Sequence, residues 1–270
     1  VDLEEQIEHV RYLIKKKVDV MVVVAADCME ISEVMLEAKA AGIPTISYDR
    51  LIQNADTDLY ISFDNEKVGQ YMAEVLVENI PEGGKIFMIQ GPEEDNNVKL
   101  VRKGFEEGLE GSKIEVVYKT NCQGWLAEQA VDALNEGLKE FSDVKGIMCG
   151  NDDIASQVVN TLAETRRAGS LAVVGQDGDL AACQRIVEGT QTMTAYKSVE
   201  SLAELAAELA VKLAQGEKPQ LDGTTMNDGK YDIPCCLLEP VAVTRENMDK
   251  VIIDGGVHSR DDVYLNVQNQ

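Results

Sequence analysis

The 270-residue sequence is 44% hydrophobic and 27% charged, which is typical of a folded globular protein and excludes a disordered or fibrous chain. Its 48 Asp and Glu against 25 Lys and Arg give a formal net charge of -23, which would repel phosphate backbones and so excludes nucleic acid as an expected partner. A chain longer than about 250 residues favours two lobes over a single core.

Several classes of site and segment are disfavoured by what the sequence lacks. No apolar stretch approaches the roughly 18 to 20 residues that span a bilayer. The six Cys form no CxxC pair and only two His are present, so we expect thiols packed in a core, no metal site and no cofactor. The sequence starts at Val1 without an initiator Met, from which we expect that any signal peptide was removed or never included.

The first part of the chain alternates helical and strand patterns. The spacing of Ile7, Val10, Leu13 and Ile14 predicts an amphipathic helix, and a fully buried strand is predicted at 18–25. The following predicted elements are a helix at 31–41 ended by Gly42, strands at 43–48 and 59–63, a helix with Val68, Met72 and Leu76 on its apolar face, and a strand at 85–90.

The same strand and helix unit recurs three more times. Strands are predicted at 114–119, 144–149 and 171–174, with helices after Trp125, Ile154 and Leu180. A strand at 192–196 then leads into a helix at 199–215, and 235–243 is predicted as one extended strand before a last helical turn. This alternation predicts an α/β fold of doubly wound parallel sheets with crossover helices.

Clusters of hydrogen-bonding residues follow four of the predicted strands: Asp49 with Arg50, the segment 91–97, Asn151 with Asp152, and Gln176 with Asp177. In open parallel sheets ligands bind beyond the carboxyl ends of the strands, so these clusters indicate one cleft. The alternative is that they are ordinary turn and capping residues. Asn151 and Asp177 favour a binding role, because Asp153 and Asp179 could serve as caps instead.

These residue types suit a neutral polyol better than a reaction. A sugar hydroxyl both donates and accepts, so carboxylates such as Asp49 and Asp177, amides such as Asn97 and Asn151, and the donor fork of Arg50 would all bind it.

The only tryptophan, Trp125, could stack on the apolar face of a pyranose or could belong to the core, and its polar surroundings leave both open. Catalytic motifs such as GxSxG, the phosphate loop and HExxH are absent from the sequence, which disfavours an enzyme. The acidic segment 177–179 lacks the later ligands of a calcium loop, so we expect no metal there.

Five longer motifs carry a family resemblance. They are YDRLI at 48–52, YISFDNEKVG at 60–69, GPEEDNN at 91–97, GNDDIA at 150–155 and GQDGDLAACQRIVEGTQTMTAYK at 175–197. Together they resemble the periplasmic sugar-binding proteins of the type I fold, which serve ABC transporters, and most closely their D-xylose-binding branch.

The resemblance implies two lobes joined by three hinge crossovers near Phe63, Lys197 and 236–238. The lobes would comprise 1–63 with 198–237, and 64–197 with 238–270. Family members normally begin with a strand, a helix and a strand ahead of the position of Val1, and we expect these to be absent here. Truncation of the chain, or replacement of the segment by another copy or partner, would both account for that.

The resemblance also implies a set of sugar contacts. Asp49 and Arg50 correspond to contacts of the first lobe. Those of the second lobe are Asn96 or Asn97, Trp125, Asn151, Asp177 and Lys197, although Lys197 could also be a solvated lysine.

The implied function is that of an extracytoplasmic binding protein, in the periplasm or as a cell-surface lipoprotein. It would capture a monosaccharide, with D-xylose expected, in a cleft between the lobes and deliver it to an ABC permease. An alternative is a sugar-signalling role in which the closed form engages a sensor kinase ectodomain or a chemoreceptor. The effector domain of a repressor is disfavoured by the acidic composition and the lack of a helix-turn-helix segment.

Overall fold

The structure is a computed structural model that describes residues 2–267. Its strands are β1 (Met21–Val23), β2 (Thr45–Tyr48), β3 (Leu59–Phe63), β4 (Gly84–Gln90), β5 (Ile114–Asn121), β6 (Gly146–Cys149), β7 (Ala172–Asp177), β8 (Met193–Tyr196), β9 (Thr225–Asn227), β10 (Asp232–Leu238) and β11 (Val241–Val243). Its α-helices are α1 (Leu3–Lys16), α2 (Ser32–Ala40), α3 (Asn65–Asn79), α4 (Asn96–Gly108), α5 (Gln129–Glu140), α6 (Asp152–Glu164), α7 (Leu180–Glu188), α8 (Val199–Ala214) and α9 (Arg260–Val263).

The chain divides into two compact units. Unit 1 is Val1–Asp64 with Ser198–Glu239, and unit 2 is Asn65–Lys197 with Pro240–Gln270. The predicted lobes place the internal boundaries at 63, 197 and 237, where the structure has 64, 197 and 239. Residue 1 and residues 268–270, at the outer ends of the predicted lobes, lie outside the described part of the chain. The hinge role of the crossovers stays a prediction.

Unit 1 is built on a five-stranded sheet with the order β1-β2-β3-β10-β9, in which only β9 pairs antiparallel. One of its core clusters joins Val10 of α1 and Met35 of α2 to β1. Another packs Leu202 and Leu209 of α8 against Ile61 of β3. Two separate helical layers therefore cover this mostly parallel sheet, as the α/β prediction requires.

The predicted strand at 18–25 is shorter and less buried than expected. Only Met21–Val23 forms a strand. Met21 and Val23 are buried, whereas Val22 and Val24 are 43% and 50% exposed. The reason is that β1 is the last strand in the sheet order and successive side chains of a strand point to opposite faces, so only one face of β1 is covered by α1 and α2.

Unit 2 is built on a six-stranded sheet with the order β11-β8-β7-β6-β4-β5, in which only β11 pairs antiparallel. Successive residues of β4 belong to opposite faces. Phe87 packs in a cluster with α5 and α6, whereas Ile86 packs in a cluster with α3 and α4. A central parallel strand buried on both faces explains why this segment is almost entirely apolar in the sequence.

The prediction of one extended strand at 235–243 is wrong. The segment forms two strands that belong to different sheets: β10 pairs with β3 in unit 1, and β11 pairs with β8 in unit 2. The break falls at Glu239 and Pro240, between the two strands. Proline has no backbone N–H to donate to a strand ladder, so a continuous strand through this position is disfavoured.

Helices α3 and α4 approach each other closely through two glycines. A Cβ atom at Gly69 would collide with the carbonyl oxygen of Val101, and one at Gly104 would collide with that of Glu66. Only the smallest residue therefore fits at either position, and this close contact positions α4, whose first turn carries Asn96 and Asn97.

Candidate functional site

The predicted residues of unit 2 lie at one edge of its sheet. Strands β4 to β8 are parallel neighbours, so their carboxyl ends meet on the same side. Every candidate of this unit is at or just beyond one of those ends: Asn96, Asn97, Trp125, Asn151, Asp177 and Lys197. The topology thus assembles residues that are up to a hundred positions apart in the chain, as expected for this class of fold.

Trp125 is held at this edge by specific contacts. It ends a short 3₁₀ turn, Gln123–Trp125, that follows β5, and its φ of 61° lies in the left-handed region. The indole Nε1 donates to Oδ2 of Asp95 at 3.3 Å, while Oδ1 of Asp95 accepts from the backbone N–H of Asn97 at 2.9 Å. One face of the ring lies so close to Gly91 that a Cβ there would collide with it. Trp125 is half-buried, so it packs on the core and also keeps exposed surface.

Asn151 caps a helix, which the sequence analysis weighed as the alternative to a binding role. Its Oδ1 accepts the backbone N–H of Ile154 at 2.9 Å, which makes it the N-cap of α6. Asp153, which could also have served as the cap, does not take this position. An N-cap residue has an extended backbone and a side chain that reaches forward to the N–H groups of the first helical turn, and Asn151 has that conformation. The capping bond uses only the amide oxygen, which leaves the Nδ2 group for another partner.

Asp177 and Lys197 form an ion pair at the ends of neighbouring strands β7 and β8, with Oδ1 and Nζ 2.9 Å apart. The Lys197 side chain is only 16% exposed, so it is not a solvated surface lysine. Asp177 is 39% exposed. Asp179, not Asp177, takes the N-cap position of α7. The pair therefore presents an acceptor and a donor of opposite charge, which suits hydroxyl groups of an uncharged ligand.

A buried carboxylate lies beside this pair. Asp152 is 1% exposed, and four donors point at its two oxygens: the backbone N–H groups of Gly178 and Asp179, the hydroxyl of Thr194 and the amide of Gln191. Burial raises the pKa of Asp152 to about 7, although the hydrogen bonds from Thr194 and Gln191 oppose that shift. Burial likewise raises the pKa of Asp179, with the Asp177 charge as a further cause.

Two buried amides complete this edge of unit 2. Gln90 and Gln176, at the carboxyl ends of β4 and β7, are 2% and 6% exposed. The Gln176 amide donates to the carbonyl of Gly150 at 2.5 Å. Within residues 2–267, neither Oε1 atom has a hydrogen-bond partner. Both residues line a small cavity together with Trp125, so two acceptors are available close to the indole ring.

In unit 1, Asp49 and Arg50 follow β2 in a tight turn. Asp49 has a φ of 63°, and its backbone N–H donates to the carbonyl of Ile61 at 2.7 Å. Its carbonyl accepts from the Tyr60 hydroxyl at 3.1 Å and from the Ser62 hydroxyl at 2.8 Å. Burial raises the pKa of Tyr60, which therefore stays a donor at neutral pH. These bonds from β3 fix the turn at the carboxyl end of β2, where both candidates are half-buried.

The structure also shows which site residues the sequence did not indicate. Asp95, Asp152, Gln90 and Gln176 each contact a predicted residue or its turn, or share a cavity with one. Asp95, Asp152 and Gln176 stood inside predicted polar clusters, and strand-end position was the available signal. Nothing in the sequence distinguishes the buried acid Asp152 from its exposed neighbour Asp153.

A larger cavity of about 550 Å³ lies elsewhere on unit 2. It is lined by residues at the amino ends of the strands, such as Lys145 before β6 and Thr192 before β8, together with Arg245. None of the predicted site residues lines it. Because ligands of open α/β sheets bind at carboxyl ends, the edge with Trp125 and Asp177 is the better candidate despite its smaller cavity.

Residues 2–267 contain neither a helix able to span a membrane nor a cluster of metal-ligating side chains. No helix in this part is both long and apolar enough to cross a membrane. No three His, Cys, Asp or Glu residues of the same range form a group that could hold a metal ion.

Comparison with known proteins gives consistent matches. Residues 1–218 match the model of the periplasmic binding protein domain. The D-xylose-binding periplasmic protein of Haemophilus influenzae is 40% identical over 268 residues, covering 97% of this chain and 80% of the relative. The protein of that name from Escherichia coli is 38% identical, covering 96% and 80%.

Solved structures agree with these matches. A solute-binding protein of an ABC transporter from Clostridium phytofermentans, with bound β-D-glucose, superposes with a TM-score of 0.86 at 26% identity, covering 97% of this chain and 87% of that one. A carbohydrate transporter solute-binding protein from Chloroflexus aurantiacus, in complex with D-glucose, gives 0.86 at 27% identity, with coverages of 97% and 86%.

Proposed function

This chain belongs to the periplasmic binding protein domain family, and we propose that its ligand is D-xylose, which it delivers to an ABC importer. Members of this family are binding proteins that act outside the cytoplasm and catalyse no reaction. Sugar binding and partnership with an ABC transporter follow from its relatives and structural neighbours. D-Xylose is the narrower proposal, and it is supported by two relatives that carry this sugar in their names.

The observation that carries the proposal is the combination of groups at the carboxyl edge of unit 2. A half-buried indole lies at the same edge as the Asp177 and Lys197 ion pair and the Nδ2 group of Asn151. An aromatic face suits the C–H face of a pyranose, while carboxylate, ammonium and amide groups suit its hydroxyls. We assign Trp125 the stacking role and Asp177, Lys197 and Asn151 the polar contacts.

The remaining candidates complete the proposed set. Asn96 and Asn97 lie in the first turn of α4, directly after Asp95, the acceptor of the Trp125 indole. Asp49 and Arg50 of unit 1 supply a carboxylate and a guanidinium from a turn fixed by β3. The ligand of such a set is uncharged, because each unit offers both a cation and an anion.

Trp125 provides a direct test because it is the only tryptophan of the chain. We expect D-xylose to change its fluorescence in a saturable way, since stacking would remove water from the exposed part of the indole. D-Glucose, D-ribose and L-arabinose serve as competitors, and L-xylose serves as the matched control for general sugar effects. If D-xylose behaves no differently from L-xylose, the proposed ligand is wrong.

The signalling alternative uses the same sugar site and differs only in the partner that engages the bound form. None of the contacts within residues 2–267 favours a sensor kinase ectodomain over a permease. Surface substitutions tested separately for uptake and for signalling would distinguish the two outputs.

A further inference from the structure

The turn that presents Asp177 has an unusual backbone. Asp177 has a φ of 110° and Gly178 a φ of 77°, so two successive residues lie on the positive side of φ. For a residue with a side chain this conformation is strained and persists only when its surroundings hold it. The segment Asp177–Gly178–Asp179 is called the Asp177 turn below.

Asp152 binds both backbone N–H groups that follow Asp177. Its Oδ2 accepts from Gly178 N at 3.0 Å and from Asp179 N at 3.1 Å, and also from the Thr194 hydroxyl at 2.7 Å. On the other side of the turn, the carbonyl of Gly178 contacts His258 Nε2 at 2.9 Å. The Gly178 N–H also donates to the Thr194 hydroxyl at 3.1 Å. The Asp177 turn is therefore held by side chains of α6 and β8 and by His258, which lies before α9.

The four donors around position 152 match a carboxylate better than an amide. The Oδ1 atom accepts from Gln191 Nε2 at 3.0 Å, and that same nitrogen also donates to the carbonyl of Met193. The other end of the Gln191 amide accepts from Arg185 at 2.9 Å, so the amide cannot turn around without losing these bonds. All four partners of Asp152 are donors. An asparagine would place an N–H₂ group against one of them and leave a buried donor unsatisfied.

We propose that Asp152 is a positioning residue of the sugar site, which holds the Asp177 turn so that the Asp177 carboxylate stays paired with Lys197 and directed to the ligand. The inference rests on the proposed function, since it assigns Asp152 an effect on D-xylose through Asp177. Asp152 itself is buried and does not need to touch the sugar. No other acid at this edge binds two N–H groups of the turn among the residues that the structure describes.

The test compares Asp152→Asn with Asp153→Asn, the exposed neighbour on the same helix turn. D-Xylose affinity is measured by calorimetry at about pH 8, above the pKa of about 7 that burial gives Asp152. We expect at least a tenfold loss of affinity for Asp152→Asn and less than a twofold change for Asp153→Asn. An unchanged affinity of folded Asp152→Asn would overturn the inference.

A double substitution separates positioning from general destabilisation. If Asp152 acts through Asp177, then Asp152→Asn should cause little further loss in a chain that already carries Asp177→Ala, because the group being positioned is gone. A full additional loss in that background would mean that Asp152 supports the fold in general, which would contradict the proposal. Should Asp152→Asn fail to fold, Thr194→Val takes its place in the cycle, since it removes one donor to Asp152 Oδ2 together with the hydroxyl that accepts from the Gly178 N–H.

Hydrogen exchange of the amides of Gly178 and Asp179 makes the result independent of the ligand. We expect both amides to be protected in the parent chain, to lose protection in Asp152→Asn and to keep it in Asp153→Asn. Loss of protection together with no D-xylose binding by the parent chain would refute the proposed function, whereas unchanged protection would refute the role of Asp152.

Discussion

At the scale of single residues, Trp125 contacts the hydrophobic core of unit 2 and also lies at the carboxyl edge of its sheet, where the candidate sugar contacts are. Its inner side packs on the cluster that contains Phe87, and its indole nitrogen is held by Asp95. Gly91 leaves space for the ring, because any side chain there would collide with it. The orientation of the indole therefore depends on a missing Cβ as much as on a hydrogen bond.

Gly91→Ala should weaken D-xylose binding by about tenfold or more, equivalent to about 1.4 kcal/mol, by displacing the indole from its stacking position. The change is measured by calorimetry. The control is the same substitution in a Trp125→Ala chain. No ring remains to be displaced there, so Gly91→Ala should not change the D-xylose affinity. Equal effects in both backgrounds would show that Gly91 acts on something other than the indole.

Asp152 predicts a pH dependence of stability. The pKa of Asp152 in the folded chain, about 7, lies above its ordinary value of 3.8, so the folded state holds this proton more tightly than the unfolded state. The corresponding stabilisation is present at low pH and is lost as the pH rises through about 7. The melting temperature of the parent chain, measured relative to that of Asp152→Asn, should therefore fall between about pH 4 and pH 7. If the melting temperatures of the parent chain and of Asp152→Asn change with pH in the same way, this prediction is wrong.

The sequence indicates the residue types of the site but not how each atom is used. Strand-end position and the family motifs indicated Asp177, Lys197 and Asn151, and the structure brings these three residues to one edge of the unit 2 sheet. They could not show that Asn151 caps α6 through its oxygen, because Asn151 and Asp153 are equally good capping residues in isolation. Nor could they single out Asp152, which is distinguished by its burial and by donors from β8, from the segment before β8 and from the segment after β7.

At the scale of secondary-structure elements, the contact between α3 and α4 depends on Gly69 and Gly104. Each lies against a backbone carbonyl of the other helix, where even a methyl group would collide. Backbone atoms cannot rotate away as a side chain can, so the helices would have to separate. Since α4 begins with Asn96 and Asn97, this packing also determines where these two proposed sugar-contacting residues lie.

Gly104→Ala should lower the free energy of unfolding by about 1–3 kcal/mol, the usual cost of overpacking, even though alanine has the higher helix propensity. The matched control is Lys99→Ala, an exposed position on the same helix, which should change stability little. Urea unfolding followed by circular dichroism measures both. If Gly104→Ala instead raises the free energy of unfolding, the two helices can move apart without loss of stability, and the prediction is wrong.

The strands show the limits of local patterns. The apolar composition of 235–243 correctly indicates extended backbone, but pairing is decided by neighbours that are far away in sequence. Leu238 pairs with Phe63, whereas Val241 pairs with Tyr196, so consecutive strands belong to separate sheets. Periodicity likewise could not show that Val22 is exposed, because this depends on the place of β1 at the end of its sheet order.

At the scale of the whole molecule, the fold class follows from the sequence because the alternation of strands and helices is regular and the apolar strands are short. Two mostly parallel sheets with helices on their faces are what the structure shows. The division into two units interleaves chain segments at residues 64, 197 and 239. Composition gives no indication of such interleaving, since no linker separates the units, and the family motifs alone suggested it.

Both units carry proposed sugar contacts, and each unit can be tested by a substitution of its own. Arg50→Ala in unit 1 and Asp177→Ala in unit 2 should each weaken binding of the same ligand without a large change in melting temperature. Each removes a charged hydrogen-bonding group, for which a loss of about 1–3 kcal/mol is typical. If only the substitution in unit 2 has an effect, unit 1 does not contribute to the site.

The most direct test of the central claim is a calorimetric titration of the parent chain with D-xylose, with D-glucose, D-ribose and L-arabinose measured beside it. We expect saturable binding of one D-xylose per chain, tighter than that of the other three sugars. A folded chain that shows no binding of D-xylose, or that binds another of these sugars more tightly, would contradict the assignment of D-xylose as the ligand.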